Sequence, residues 1–175
     1  GVGMFTELEY PEVEGREAFR GTQFHTGAWL DGHSLEGERV AVIGSAASAV
    51  QMIPEIVDDV AHLTVYQRRP QWVLPKEDDP FTAEEIARFV GDDDAAAATR
   101  AEIREGLEAF ITFSNPEVLA RAEERGLENI AVVEDPQVRR KLTPSMAYGC
   151  RRPLASNLYY PVFNRSNVTL VDRAV

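Results

Sequence analysis

Apolar residues gather along the chain in three short, β-branched runs, with a long stretch of helical spacing before the last. The runs are Arg39-Val-Ala-Val-Ile43, His62-Leu-Thr-Val-Tyr66 and Asn167-Val-Thr-Leu-Val171. Each is short and nearly continuous, the pattern of strands buried in a parallel sheet. Between the first two, Gly44 opens a small-residue turn, and Ala49, Val50, Ile53, Ile56 and Val57 then recur at helical spacing. Pro54 lacks an amide hydrogen, so this helix is predicted to kink or to end early. Strand, glycine turn, helix and strand within about 30 residues make a βαβ unit. The third run is predicted to be the third strand of the same sheet.

Thr82 to Lys141 has a different texture, rich in Ala, Glu and Arg. Two to four amphipathic helices are expected here, with N-caps at Thr82 and at Asn115, the latter followed by Pro116 at the first helical position. Asp92-Asp-Asp94 is read as a solvated loop, and no metal site is expected, since three adjacent carboxylates cannot all face one ion from a helix. Gly1 to Asp31 has turn residues and aromatics but little periodicity, and reads as a structured connector. Together these patterns predict an α/β fold, a Rossmann-type three-layer domain with a helical insertion. Residues 1–35 would form a linker and residues 36–175 the domain, with the insert at about 80–142.

Composition narrows the partners. A formal net charge of −11 argues against nucleic acid or an anionic membrane surface. No apolar run reaches the ~18 residues of a membrane span. The one cysteine, Cys150, permits no internal disulfide and suits a reducing, cytoplasmic setting; no base stands near it in the sequence, so it is read as a bystander. The chain has no signal peptide at its start, opens on Gly1 and reads like the interior of a longer protein.

The candidate chemistry begins at the turn Gly44-Ser-Ala-Ala-Ser-Ala49. Against G-x-G-x-x-G/A it keeps the first glycine, has Ala46 at the second and the permitted Ala49 at the third. Such a turn brings backbone close to a pyrophosphate and aims a helix N-terminus at it. The end of the second strand sets the cofactor. NAD-binding units place an acid there for the ribose 2′-hydroxyl, whereas this chain has Tyr66-Gln-Arg-Arg69. A carboxylate repels a 2′-phosphate, and a guanidinium pairs with it through two hydrogen bonds. Arg68, assisted by Arg69, is therefore the expected contact to the 2′-phosphate of NADP(H).

Three further segments stand around this unit. Phe19-x-Gly21-x-x-x-His25-x-x-x-Trp29 precedes the first strand, with Asp31 just beyond; Gln71-Trp-Val-Leu-Pro75 follows the arginines; Gly149-Cys-Arg-Arg-Pro153 and Tyr159-Tyr-Pro161 precede the third strand. The Gln71 segment is expected to pack against the core. Arg151 and Arg152 could offer cations to a phosphate or an oxyanion.

Taken together these residues resemble the Baeyer–Villiger monooxygenases, enzymes that use FAD and NADPH. Phe19, Gly21, His25 and Trp29 match the F-x-G-x-x-x-H-x-x-x-W spacing, with the family's usual Asp at Asp31. Val65-Tyr-Gln-Arg-Arg-Pro-Gln-Trp-Val73 looks like its strand-end segment, where Thr often stands at the place of Arg69, and Gly149 to Pro153 with Tyr159-Tyr-Pro161 looks like its later arginine segment. Gly1-Val-Gly3 resembles the end of its first linker strand, where Ala-Thr-Gly is usual.

The resemblance implies that Arg68 and Arg151 bind the 2′-phosphate and that Arg152 stands over the flavin, stabilising the anionic oxidant that attacks a ketone carbonyl. It implies that His25 couples domain movement to turnover. The expected cofactor-binding residues are Gly44, Ser45, Ala46, Ala47, Ser48, Ala49 and Gln51, with Arg68, Arg69 and Arg151; the expected catalytic residues are Arg152 and His25. The substrates implied are a ketone and O2. Because no second G-x-G-x-x-G is present for FAD, the chain is expected to be an internal NADPH-domain segment whose FAD domain is missing. The alternatives are a related monooxygenase acting on nitrogen or sulfur, and a non-catalytic NADP-binding module. The complete fingerprint with Asp31 favours the ketone enzyme.

Overall fold

The computed structural model describes residues 7–76, 78–113 and 115–173; Gly1-Val-Gly3, read above as a linker-strand end, lies outside them. The three apolar runs form one parallel sheet. Strands β1 (Arg39–Ile43) and β2 (His62–Tyr66) pair from Arg39↔His62 to Ile43↔Tyr66, and β2 pairs in turn with β5 (Val168–Val171) from Leu63↔Val168 to Tyr66↔Val171. The order β1-β2-β5 makes the third run a neighbour of the second. Between β1 and β2 lies α1 (Ala47–Ile56), which begins two residues earlier than its apolar spacing suggests and ends two residues after Pro54. Its Ala49, Val50, Ile53 and Ile56 pack with Leu63 and Val65 of β2 and Leu170 of β5, the apolar burial that drives formation of the layer.

One strand departs from expectation. β1 is composed like an interior strand, yet it stands at the sheet edge, and only Val42 is fully buried; Ile43 is 53% exposed. Among the described residues no strand pairs with its outer edge, so its apolar content outruns its burial.

Among the described residues, four helices make up the insertion: α2 (Ala83–Gly91), α3 (Asp93–Ile111), α4 (Pro116–Ile130) and α5 (Pro136–Leu142). Thr82 and Asn115 cap α2 and α4 as predicted, Thr82 through a reciprocal capping box with Glu85. Asp92-Asp-Asp94 is not a loop. Asp92 caps α3, accepting from the amides of Asp94 and Ala95, while Asp93 and Asp94 occupy its first turn. Acids are stabilised there by the positive end of the helix dipole. Ahead of β1, residues 7–38 carry two 3-10 turns, Arg16–Ala18 and Thr26–Ala28, and no longer element.

A second, very small parallel sheet has no signature in the sequence. β3 (Val73–Leu74) pairs with β4 (Leu154–Ala155), joining segments far apart in the chain. Two-residue strands are too short to show a period of two. Asn129 of α4 donates to the carbonyls of Val73 (3.0 Å) and Ser156 (3.2 Å), and the Trp72 indole donates to Met146 O at 2.8 Å. Trp72 and Val73 are buried, so the Gln71 segment does pack, as predicted.

Gly126 of α4 lies against Trp72. A Cβ there would sit 2.6 Å from Cε3 and 2.9 Å from Cζ3 of a ring already pinned by its hydrogen bond. In an open helix Gly→Ala gains about 1 kcal/mol, but overpacking costs about 1–3 kcal/mol. Gly126→Ala is therefore expected to lower the urea midpoint at unchanged slope; a raised midpoint would show that the ring yields freely.

Candidate functional site

The parallel register of β1 and β2 makes both strands end side by side, Ile43 opposite Tyr66. The turn after β1 and the arginine segment after β2 therefore emerge together. Gly44 N–H donates to Tyr66 O at 2.9 Å, extending the ladder by one bond. Gly44 has φ +113°, a conformation that side chains rarely adopt, and a Cβ there would meet nothing within 4 Å. Glycine is needed here for its backbone, and the space above the turn is open to a ligand.

Beyond Gly44, Ser45 is buried and its Oγ donates to Arg69 O at 3.4 Å, a long bond that links the turn to the arginine segment. Ala46 is the N-cap residue of α1 and offers no capping side chain. Ala47, Ser48 and Ala49 form the first turn of α1, where amide groups lack intrahelical acceptors and the dipole favours an anion. The Ala46 side chain is exposed, so its methyl group is not turned into the core. Gln51 is exposed on α1 and donates from Nε2 to Ala47 O at 3.0 Å.

Arg68 and Arg69 are both exposed, and neither guanidinium has an ion-pair partner among the described residues. In an acidic chain, two free cations beside an uncapped helix N-terminus create a local positive surface suited to an anion. Arg151 and Arg152 approach from the far end of the chain. Leu154 N–H donates to Trp72 O at 2.9 Å, and Leu154 lies opposite Val73, so the two arginines enter the small sheet alongside the segment that leaves Arg69. Arg151 is half-buried and Arg152 exposed.

His25 makes its contacts within the connector. Its Nδ1 accepts from Gly27 N–H at 2.9 Å, capping the second 3-10 turn, and its ring meets Tyr10 edge-on at 5.8 Å. The fingerprint residues organise the connector itself: Trp29 packs edge-on against Phe24 at 4.9 Å, and the Phe19 ring lies over Gly21, where a Cβ would come within 2.5 Å of it. Cys150 is exposed. Among the described residues no three His, Cys, Asp or Glu side chains are grouped to hold a metal, and no helix is long and apolar enough to cross a membrane.

The sequence pattern does not single out the polar residues beneath the turn. Gln67 is buried at the end of β2 and donates from Nε2 to Lys141 O at 2.9 Å, tying the sheet to α5. Tyr159 and Tyr160 are buried in the same region. A polar residue directly after the alternating burial of β2 is the available signal for Gln67; nothing local marks which tyrosine reaches the turn.

Over nearly its whole length the chain is similar to curated Baeyer–Villiger monooxygenases. A Baeyer–Villiger monooxygenase of Pseudomonas aeruginosa is 37% identical over 179 residues, covering 100% of this chain and 34% of the relative. Another, of Streptomyces coelicolor, is 35% identical and covers 97% of this chain and 33% of the relative. Among solved structures, a cyclohexanone monooxygenase mutant from Rhodococcus sp. Phi1 bound to NADP+ aligns with a TM-score of 0.79 at 29% identity, over 98% of this chain and 40% of that one. The chain thus spans roughly a third of the length of the curated relatives it matches. No family model matches it.

Proposed function

We propose that residues 36–175 form a Rossmann-type, three-layer NADPH-binding domain of a flavin-dependent monooxygenase that converts a ketone and O2 to an ester or lactone, with residues 1–35 as its linker. One observation carries the reading: the strand after the glycine turn is followed by Arg68-Arg69, with no acid, directly beside an uncapped helix N-terminus. The open space over Gly44 fits a pyrophosphate, and the free guanidinium of Arg68 fits a 2′-phosphate. The NADP+-bound relative supports the same cofactor.

In this reading Gly44 to Ala49 hold the pyrophosphate through backbone amides, Gln51 lies along the same helix, and Arg68, Arg69 and Arg151 select the 2′-phosphate. NADPH supplies the hydride, and FAD, bound in the rest of the longer protein, supplies the oxygen chemistry. Arg152 holds a fixed positive charge toward the reacting centre, where it stabilises developing negative charge. His25 keeps the connector in shape so that movement of one domain reaches the other. The edge position of β1, with its exposed Ile43, supports a sheet that continues in that longer protein. Titration of the chain with NADPH, NADH and FAD tests the reading: NADPH is expected to bind well above NADH, and FAD not to bind.

A further inference from the structure

Directly under the turn, Ser45, Gln67, Gln71, Tyr159 and Tyr160 line a gap too narrow to hold a water molecule. Tyr159 is 2% exposed, and its hydroxyl meets no hydrogen-bond partner among the described residues. A buried hydroxyl left unpaired is costly, and water cannot relieve it where none fits. Gln67 is held firmly by its bond to Lys141 O at 2.9 Å, whereas two of the lining hydroxyls make long bonds. Ser45 Oγ–H reaches Arg69 O at 3.4 Å, and Tyr160 Oη–H reaches Gln71 O at 3.4 Å, both long for bonds of this type. The gap therefore lies between the two halves of the nucleotide site, the turn and the segment from Arg69 to Gln71.

We propose that Tyr159 is a positioning residue for the nucleotide turn: with nucleotide bound, its hydroxyl pairs with Ser45 Oγ and fixes the turn against the arginine segment. This rests on the NADPH reading above. Burial pushes the Tyr159 phenol well above its usual range, so it stays protonated and able to donate. An unpaired buried group raises the free energy of the ligand-free chain, and a ligand that lets it pair gains that difference on binding. The pyrophosphate held by the turn is common to NADPH and NADH, so the gain is shared by both.

The test is Tyr159→Phe, measured beside the unaltered chain by thermal denaturation and by titration with NADPH and NADH. The free variant is expected to melt at the same temperature or higher, since Phe removes an unpaired hydroxyl. Both nucleotides are expected to bind about tenfold more weakly, leaving their ratio unchanged. Ser45→Ala is expected to weaken them similarly, and the double variant to be no weaker than either single one. Unchanged affinity in Tyr159→Phe, additive losses, or a lower melting temperature of the free variant would each overturn the proposal while leaving the NADPH reading intact. Failure of the unaltered chain to bind either nucleotide would overturn both.

Discussion

Arg68→Ala is expected to weaken NADPH binding by about 10–100-fold while leaving NADH nearly unchanged. The two cofactors differ only in the 2′-phosphate, so the ratio of their losses isolates the contact. Arg68 is exposed and, among the described residues, unpaired in the free protein, so removing it breaks no existing ion pair and leaves the fold intact. A surface pair between single charges would be worth little, but a guanidinium facing a phosphate makes two parallel, charge-assisted hydrogen bonds. Because the site is exposed, the difference is expected to shrink as salt rises. Titration calorimetry of the variant with each cofactor is the check. Equal losses for NADPH and NADH would place the 2′-phosphate elsewhere.

If the proposed function holds, Arg152→Ala made in the longer protein it implies is expected to spare NADPH oxidation and lower ester formation by about 10²–10³-fold. In the proposed role the charge acts on the oxygenation step and not on hydride delivery, so its loss is expected to let reducing equivalents be consumed without product. Arg151 beside it gives the contrast: its loss is expected to raise the KM for NADPH. Parallel assays of NADPH consumption and ester yield separate the two. Ester yield that keeps pace with NADPH consumption in Arg152→Ala would remove the residue from the oxygenation step.

The strands are legible because each is a continuous β-branched run, and the bounds read for Arg39–Ile43 and His62–Tyr66 are those observed. The start of α1 is less so. Ala46 carries no capping oxygen, so no residue announces the first turn. Asp92 poses the opposite problem: three acids read as a solvated loop and serve equally well as a cap and first turn. The pairing of β3 with β4 depends on contacts between distant segments that no local pattern records.

For the candidate site, the neighbourhood of the turn and the arginines follows from the βαβ order, and the register of β1 with β2 brings them together. The approach of Arg151 and Arg152 is visible in the sequence only through resemblance, because it depends on the small second sheet. The orphaned hydroxyl of Tyr159 is hidden for a related reason: burial of a tyrosine can be guessed from sequence, but its lack of a partner cannot.

The most direct test of the NADPH assignment is calorimetric titration of the chain with NADPH, NADH and FAD at equal, low ionic strength. NADPH is expected to bind, NADH about 10–100-fold more weakly, and FAD not at all. Equal binding of NADPH and NADH, or a folded chain that takes up neither, would contradict that assignment.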